Sequence, residues 1–307
     1  MQQRVTFASI IFAAILLAMW LSVESSRSQQ SSMPGIDLLY GQPKELSKLM
    51  DSRINESSGI AASIRYSGAF WTHNDSGDSA RIFLISKSGE TIATVNIKGV
   101  SAVDWEDIAS FRRSGDGYVL IADTGDNARR RERCVLYIIR EPAINTNPGN
   151  KEAPGIEVEP VMTIGFSYED GPHDCEAVAV DPAGSAVYFV SKEPAECRVY
   201  SMAIPSEESR HPNVAKAIAT LKLRYATAMD ISPDGIHAVV LTYGDAYAFA
   251  RANGKTWAEA FSREPSVIKT PPRKQGESIC YGPDGKTLYL TSENAFQPFW
   301  EIPVLEE

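Results

Sequence analysis

CEAVAVDPAGSAVYFVSK (residues 175–192), ATAMDISPDGIHAVVLTY (226–243) and GESICYGPDGKTLYLTSE (276–293) are three copies of one pattern. Each reads as an apolar strand, a turn built on Pro and Gly, and a second apolar strand. Two looser copies precede them, NESSGIAASIRYSGAFWTHNDSG from Asn55 and WEDIASFRRSGDGYVLIADTGDN from Trp105. A third strand follows every copy: ARIFLIS, CVLYIIR, CRVYSMA, AYAFAR and FWEIPV. TIATVNIK, EVEPVMTIGF, VAKAIATLKL and PSVIKT supply a fourth strand after the first four copies. Val, Ile and Tyr dominate these runs and helical periodicity is nearly absent, so the chain is all-β. A four-stranded unit recurring at roughly 50 residues is the signature of a β-propeller. The last copy has only three strands, and residues 36–50, IDLLYGQPKELSKLM, can complete it. That strand would close the ring and hide an open edge. The expectation is a five-bladed propeller closed by an N-terminal strand. The long interval from Glu106 to Glu176 leaves six blades as the alternative.

Composition bounds the partners. The 307 residues carry a net charge of −9, which works against a nucleic-acid backbone as ligand. Arg4 is followed by VTFASIIFAAILLAMWLSV, residues 5–23, without a charge. Residues 1–23 therefore read as a secretory signal peptide or an uncleaved N-terminal anchor, residues 24–35 as a polar tether, and 36–307 as one domain. The address implied is periplasmic or secreted, with the membrane touched only through an uncleaved N-terminal segment. Such a compartment permits disulfides. Cys134 and Cys280 read as buried thiols, while Cys175 and Cys197 fall at neighbouring loops and are either free or bridged.

The charges recur with the strands. Five residues before the turn stands Glu176 in one copy and Glu277 in another, and alignment puts Glu56 and Glu106 at the same place. Thr227 breaks the series, with Asp230 close by. In a propeller these positions ring the central channel at one end, so Glu56, Glu106, Glu176 and Glu277 are the candidate metal ligands. Crowded like charges call for a cation or a basic group among them. The second strands return to that end and bring His73, Asn74, Asp75, Asp123, Asp126, Asn127, Lys192, Glu193, Asp245, Glu293 and Asn294. The segments entering the first strands add Asp104, His173 and Asp174. Asp123, Asp126, Asn127, Arg129, Arg130 and Lys192 are the candidate ligand-binding residues. Asp in DSGD and DTGDN also serves as an ordinary turn residue, and the arginines 129, 130, 131 and 133 also read as a solvated loop. His211 and His237 read as structural or surface residues. An oxygen-only donor set suits Ca²⁺ or Mg²⁺ better than zinc. There is no GxSxG, HExxH, P-loop or EF-hand pattern.

NESSGIAAS, FWTHNDSG, ARIFLISKSGE, DWEDIASF and YVLIADTGDN, within residues 55 to about 140, resemble the opening of bacterial SdiA-regulated propellers, which are similar in general look to phytase-like propellers. The resemblance implies a propeller, an extracytoplasmic setting and Ca²⁺ held by carboxylates on one face, at Glu56, Glu106, Glu176 and Glu277. Thr227 departs from that set. Three readings follow: a Ca²⁺-binding face that holds a small anionic ligand or a protein, a metal-dependent hydrolase of phosphoesters or lactones with Glu106 or His73 as base, and a plain interaction scaffold.

Overall fold

Apolar strands joined by tight turns, Pro-Asp-Gly at 233–235 and 283–285, produce hairpins in the computed structural model, which describes residues 38–144, 155–182, 185–207 and 212–305. The expected signal or anchor, the tether and His211 lie outside these residues. The chain is all-β, with 52% strand and 2% helix. Among the described residues no helix is long and apolar enough to cross a membrane. In the turn Ser232-Pro233-Asp234-Gly235, the Gly235 amide donates to the Ser232 carbonyl at 2.8 Å, and Gly235 takes φ +70°. Proline presets the bend and glycine accepts the left-handed step that returns the chain antiparallel. Asp234 then accepts the Ile236 amide at 2.9 Å and pins the turn.

The strands form four sheets, one of them eight-stranded, and within these sheets consecutive antiparallel strands make up the groups that follow. The first holds β2 (Ser57–Ala62), β3 (Ala69–Asn74), β4 (Arg81–Ser86) and β5 (Thr91–Ile97); the second holds β6 (Trp105–Arg113), β7 (Asp116–Asp123), β8 (Cys134–Arg140) and β10 (Met162–Tyr168). The third is β11 (Cys175–Val180), β12 (Ala186–Ser191), β13 (Cys197–Ala203) and β14 (Asn213–Leu221). The fourth is β15 (Ala226–Ile231), β16 (His237–Thr242), β17 (Ala246–Ala250) and β18 (Ser266–Ile268). In the last, β19 (Ser278–Tyr281), β20 (Leu288–Thr291) and β21 (Pro298–Ile302) are completed by β1 (Lys44–Lys48), which pairs antiparallel with β21. A short parallel pairing of β10 with β14 joins the second and third groups into one eight-stranded sheet.

The inner strands pack in sequence, β2 on β6, β6 on β11, β11 on β15, β15 on β19 and β19 on β2, around a common axis. Between each pair of neighbouring groups lies an apolar cluster. At the seam of the last and first groups, Phe70 meets Tyr289 at 4.6 Å and Phe299 at 5.1 Å. Each such buried side chain contributes about 1.5–3 kcal/mol of transfer free energy. Polar pins add specificity. The Asp107 carboxylate accepts the amides of Ile108 and Val178 at 2.8 Å and of Met229 at 3.2 Å, tying β6 to β11 and β15. Ser278 Oγ donates to the Ser57 carbonyl at 2.8 Å across the closing seam.

One reading of the sequence is corrected, a short helix is added, and the open question of the cysteines is decided. EVEPVMTIGF is not one strand: β9 (Gly155–Val158) adds parallel to β5 of the first group, and only β10 belongs to the second. A short helix, α1 (Trp257–Phe261), interrupts the fourth group. Its Thr256–Glu259 capping box was legible as T-x-x-E, and Trp257, Ala260 and Phe261 are buried. All four cysteines are buried free thiols, so Cys175 and Cys197 form no bridge. They begin β11 and β13, and β12 lies between these strands. Two inter-strand spacings exceed the reach of a disulfide.

Candidate functional site

A repeated bulge builds the acidic mouth. The ladder slips between Ser57 and Gly59, Trp105 and Asp107, Cys175 and Ala177, and Ala226 and Ala228. The skipped residues are Ser58, Glu106, Glu176 and Thr227, and Glu277 takes the equivalent place just before β19. A bulged residue leaves the ladder and its side chain is re-aimed, here toward the axis. The register moves Glu56 out of this set. It stands two residues ahead of the bulge, level with Asp104 and Asp174.

Oxygens of Asp75, Asp104 and Glu106 all lie within 4.8 Å of one another, and so do those of Glu106, Asp174 and Glu176. Glu106 thus belongs to both groups. It is 2% exposed and Glu176 is 4% exposed. Room for them comes from Gly125, at the exit of β7. A Cβ there would stand 2.0 Å from Glu106 Oε1 and 2.5 Å from Asp104 Oδ2. Asp174 Oδ1 accepts the Asp126 amide at 2.9 Å, which fixes its direction. Lys192 Nζ donates to Glu176 Oε1, while the buried Glu176 Oε2 has no hydrogen-bond partner. Lys192 also sits 5.0 Å from the Tyr243 ring centroid, and the Tyr243 hydroxyl donates to Glu277 Oε1 at 3.0 Å.

The electrostatics follow from this crowding. Burial, then the neighbouring Glu176, Asp75, Asp104 and Asp174, raise Glu106 well above the usual carboxylate range. Burial and Asp75 push Asp104 up to about 6, although Arg131 opposes them. Burial raises Glu176 to about 8 against the pull of Lys192. Burial likewise pushes Glu277 to about 10, with Glu293 and Glu176 adding to it. Burial works against the charge of Lys192, but Glu176 more than offsets it and holds the ammonium ionised. Several carboxylates and an orphaned buried oxygen fit a hard cation, and the acidic groups could hold a metal ion.

The structure brings together Glu106 and Glu176 of the four glutamates marked in the sequence. Glu277 belongs to neither three-carboxylate group and accepts the Tyr243 hydroxyl. Glu56 bridges to Glu293 through the backbone. Asp123 accepts Arg131 Nη2 at 2.6 Å and the Val103 amide at 3.1 Å, and Asp126 accepts the Arg131 amide at 2.6 Å. Both are used to shape the loop. Asn127, Arg129 and Arg130 are exposed, and Arg129 is paired with Glu193 at 2.6 Å. The arginines therefore do not converge on one anion. His73 is sealed in β3 at 0% exposure, its Nδ1–H donating to the Asn74 carbonyl at 2.9 Å. Burial lowers it to about 4, so it is neutral and beyond a substrate's reach as a base. Asp75, Asp104 and Asp174 complete the groups although they were not singled out as ligands. The signal was a repeated D-x-E, Asp104-Trp105-Glu106 and Asp174-Cys175-Glu176, each spanning a bulge. No protein-family model matches the chain, and no curated protein matches it.

Proposed function

We propose that this chain is a five-bladed β-propeller that works outside the cytoplasm and holds Ca²⁺ in its acidic mouth, where the ion draws a small anionic ligand. The observation that carries this reading is the pair of three-carboxylate groups sharing Glu106. Asp75 and Asp104 on one side, and Asp174 and Glu176 on the other, would supply the remaining oxygens. Ca²⁺ is favoured because every donor is an oxygen and because it tolerates irregular ligand sets, whereas Mg²⁺ demands near-octahedral ones. Five inner strands packed in a ring, with a cluster between each neighbouring pair of groups, support the blade count. The charged N-terminus followed by an apolar run supports the address.

Binding without catalysis fits the arrangement better than hydrolysis. His73 is enclosed, and Glu106 is buried and crowded by the carboxylates of both groups, which suits a shared ligand better than a free base. Thermal melting of the full chain with chelator, Ca²⁺ and Mg²⁺ tests the reading. Ca²⁺ should raise the melting temperature in a concentration-dependent way, and Glu106→Gln should fold but respond at least tenfold more weakly. A flat Ca²⁺ response in the parent chain would refute it.

A further inference from the structure

The opposite end of the axis carries a second, chemically different site. A cavity of about 240 Å³ opens there, between the ends of the inner strands and the hairpin turns. Ala61, Phe111, Val180, Ile231 and Pro233 give it apolar walls. A cavity of about 150 Å³ already takes a benzene ring. One carboxylate, Asp230, lines it as well, and so does Ser110. The third paired position after the slip holds Ala61, Ala109 and Ala179 in β2, β6 and β11; the matching position of β19 holds Cys280, and only β15 has a charge there.

The Asp230 side chain is held in place. Its Oδ1 accepts the Ile231 amide and its Oδ2 the Tyr281 amide, each at 2.8 Å. Each oxygen retains a second lone pair. Among the described residues no basic side chain forms an ion pair with it; burial is the main influence on it, and its hydrogen-bond donors are backbone amides. Of the aspartates fixed in the same way by hydrogen bonds, one has a basic partner and one has backbone amides alone, as Asp230 does. Asp181 has Arg251 at 3.1 Å and the Trp257 indole N–H at 3.1 Å, and Asp107 accepts three amides. Arg112 also lines the cavity but is exposed. The Ser110 hydroxyl oxygen is buried and has no hydrogen-bond partner.

We infer that this cavity binds a small organic ammonium ion, its apolar body against the alanine and proline walls and its N–H groups donating to Asp230 and Ser110. A carboxylate with amide donors but no counter-ion is costly to ionise in a largely apolar cavity, and an ammonium supplies the opposite charge together with further donors for its remaining lone pairs. A neutral molecule of the same shape supplies neither.

The experiment is isothermal titration of the full chain with 2-phenylethylammonium, 2-phenylethanol and 3-phenylpropionate, each in excess Ca²⁺ and in chelator. The ammonium should bind saturably and at least tenfold more tightly than the alcohol, the carboxylate should not bind, and Ca²⁺ should make no difference. Asp230→Asn should weaken the ammonium at least tenfold. Because Asp230 also links β15 to β19, Ser110→Leu provides an independent variant that fills the cavity and keeps the carboxylate; it should abolish binding. Equal affinities for ammonium and alcohol, unchanged binding in Ser110→Leu, or displacement by Ca²⁺ would each overturn the inference. The last outcome would put the ammonium in the acidic mouth instead. Absence of saturable binding would overturn it as well, without bearing on the Ca²⁺ site.

Discussion

Glu106 and Gly125 form the tightest residue-level dependence in the acidic mouth. The glycine lacks the atom that would collide with Glu106 Oε1 and Asp104 Oδ2. Gly125→Ala should therefore push these carboxylates apart and cut the Ca²⁺ response of the melting temperature by at least tenfold in concentration. An unchanged response would show that Gly125 does not shape the site. Protonation offers a second readout. Asp104 and Glu176 have folded values of about 6 and about 8, above their ordinary 3.8 and 4.5. The unfolded chain releases these protons first, so the contribution of these two groups to metal-free stability is greatest below about pH 4 and is lost as pH rises toward 8. Melting curves in chelator should show a decline between pH 5 and pH 8 that is shallower in Glu106→Gln, and Ca²⁺ should reduce it. A decline equal in both proteins would remove Glu106 from the titrating set.

At the scale of elements, a one-residue slip decides which side chains line the axis. The bulges in β6 and β11 send Glu106 and Glu176 inward, and the D-x-E spacing places Asp104 and Asp174 beside them. β1 has a different task. It covers the outer edge of β21, with Lys44 opposite Glu301 and Lys48 opposite Pro298. Just beyond it, Leu49 is fully buried in the cluster of the last and first groups. Removing residues through Met50 would expose that edge and empty part of the cluster. A chain starting at Asp51 should melt at least about 10 °C lower or aggregate, since losses of a few kcal/mol move the midpoint by that order in a domain of this size. An unaltered melting curve would show that β1 is dispensable.

The whole molecule depends on contacts that cross its axis. Asp107 alone ties three inner strands together, and those strands come from residues 105–113, 175–180 and 226–231. Asp107→Ala would strand three buried amides, at about 1–3 kcal/mol for each unpaired group. The expected loss of at least about 3 kcal/mol should appear as a lower midpoint in urea. The cooperativity should be unaffected, because each group relies on both neighbours. A midpoint within about 0.5 kcal/mol of the parent would mean that water replaces the carboxylate.

Hairpins and turn chemistry were legible in the sequence because they depend on neighbours a few residues apart. Pro-Asp-Gly at 233–235 and 283–285 specifies its bend locally, and Val/Ile/Tyr alternation specifies strands. The acidic end of the axis was legible for the same reason: antiparallel strands return their exits to the level of their starts. Tertiary structure decided the rest. Distance from the turn put Glu56 with Glu106, but the ladder sets the level, and the bulge puts Ser58 there. GIEV at 155–158 joined β5, because an open edge sixty residues upstream in the chain accepted it. Packing enclosed His73, separated Cys175 from Cys197 by a strand, and used Asp123 and Arg131 to hold a loop. Which carboxylates come within reach of one another is a matter of ångströms between groups far apart in the chain, and only the packing of the inner strands sets those distances.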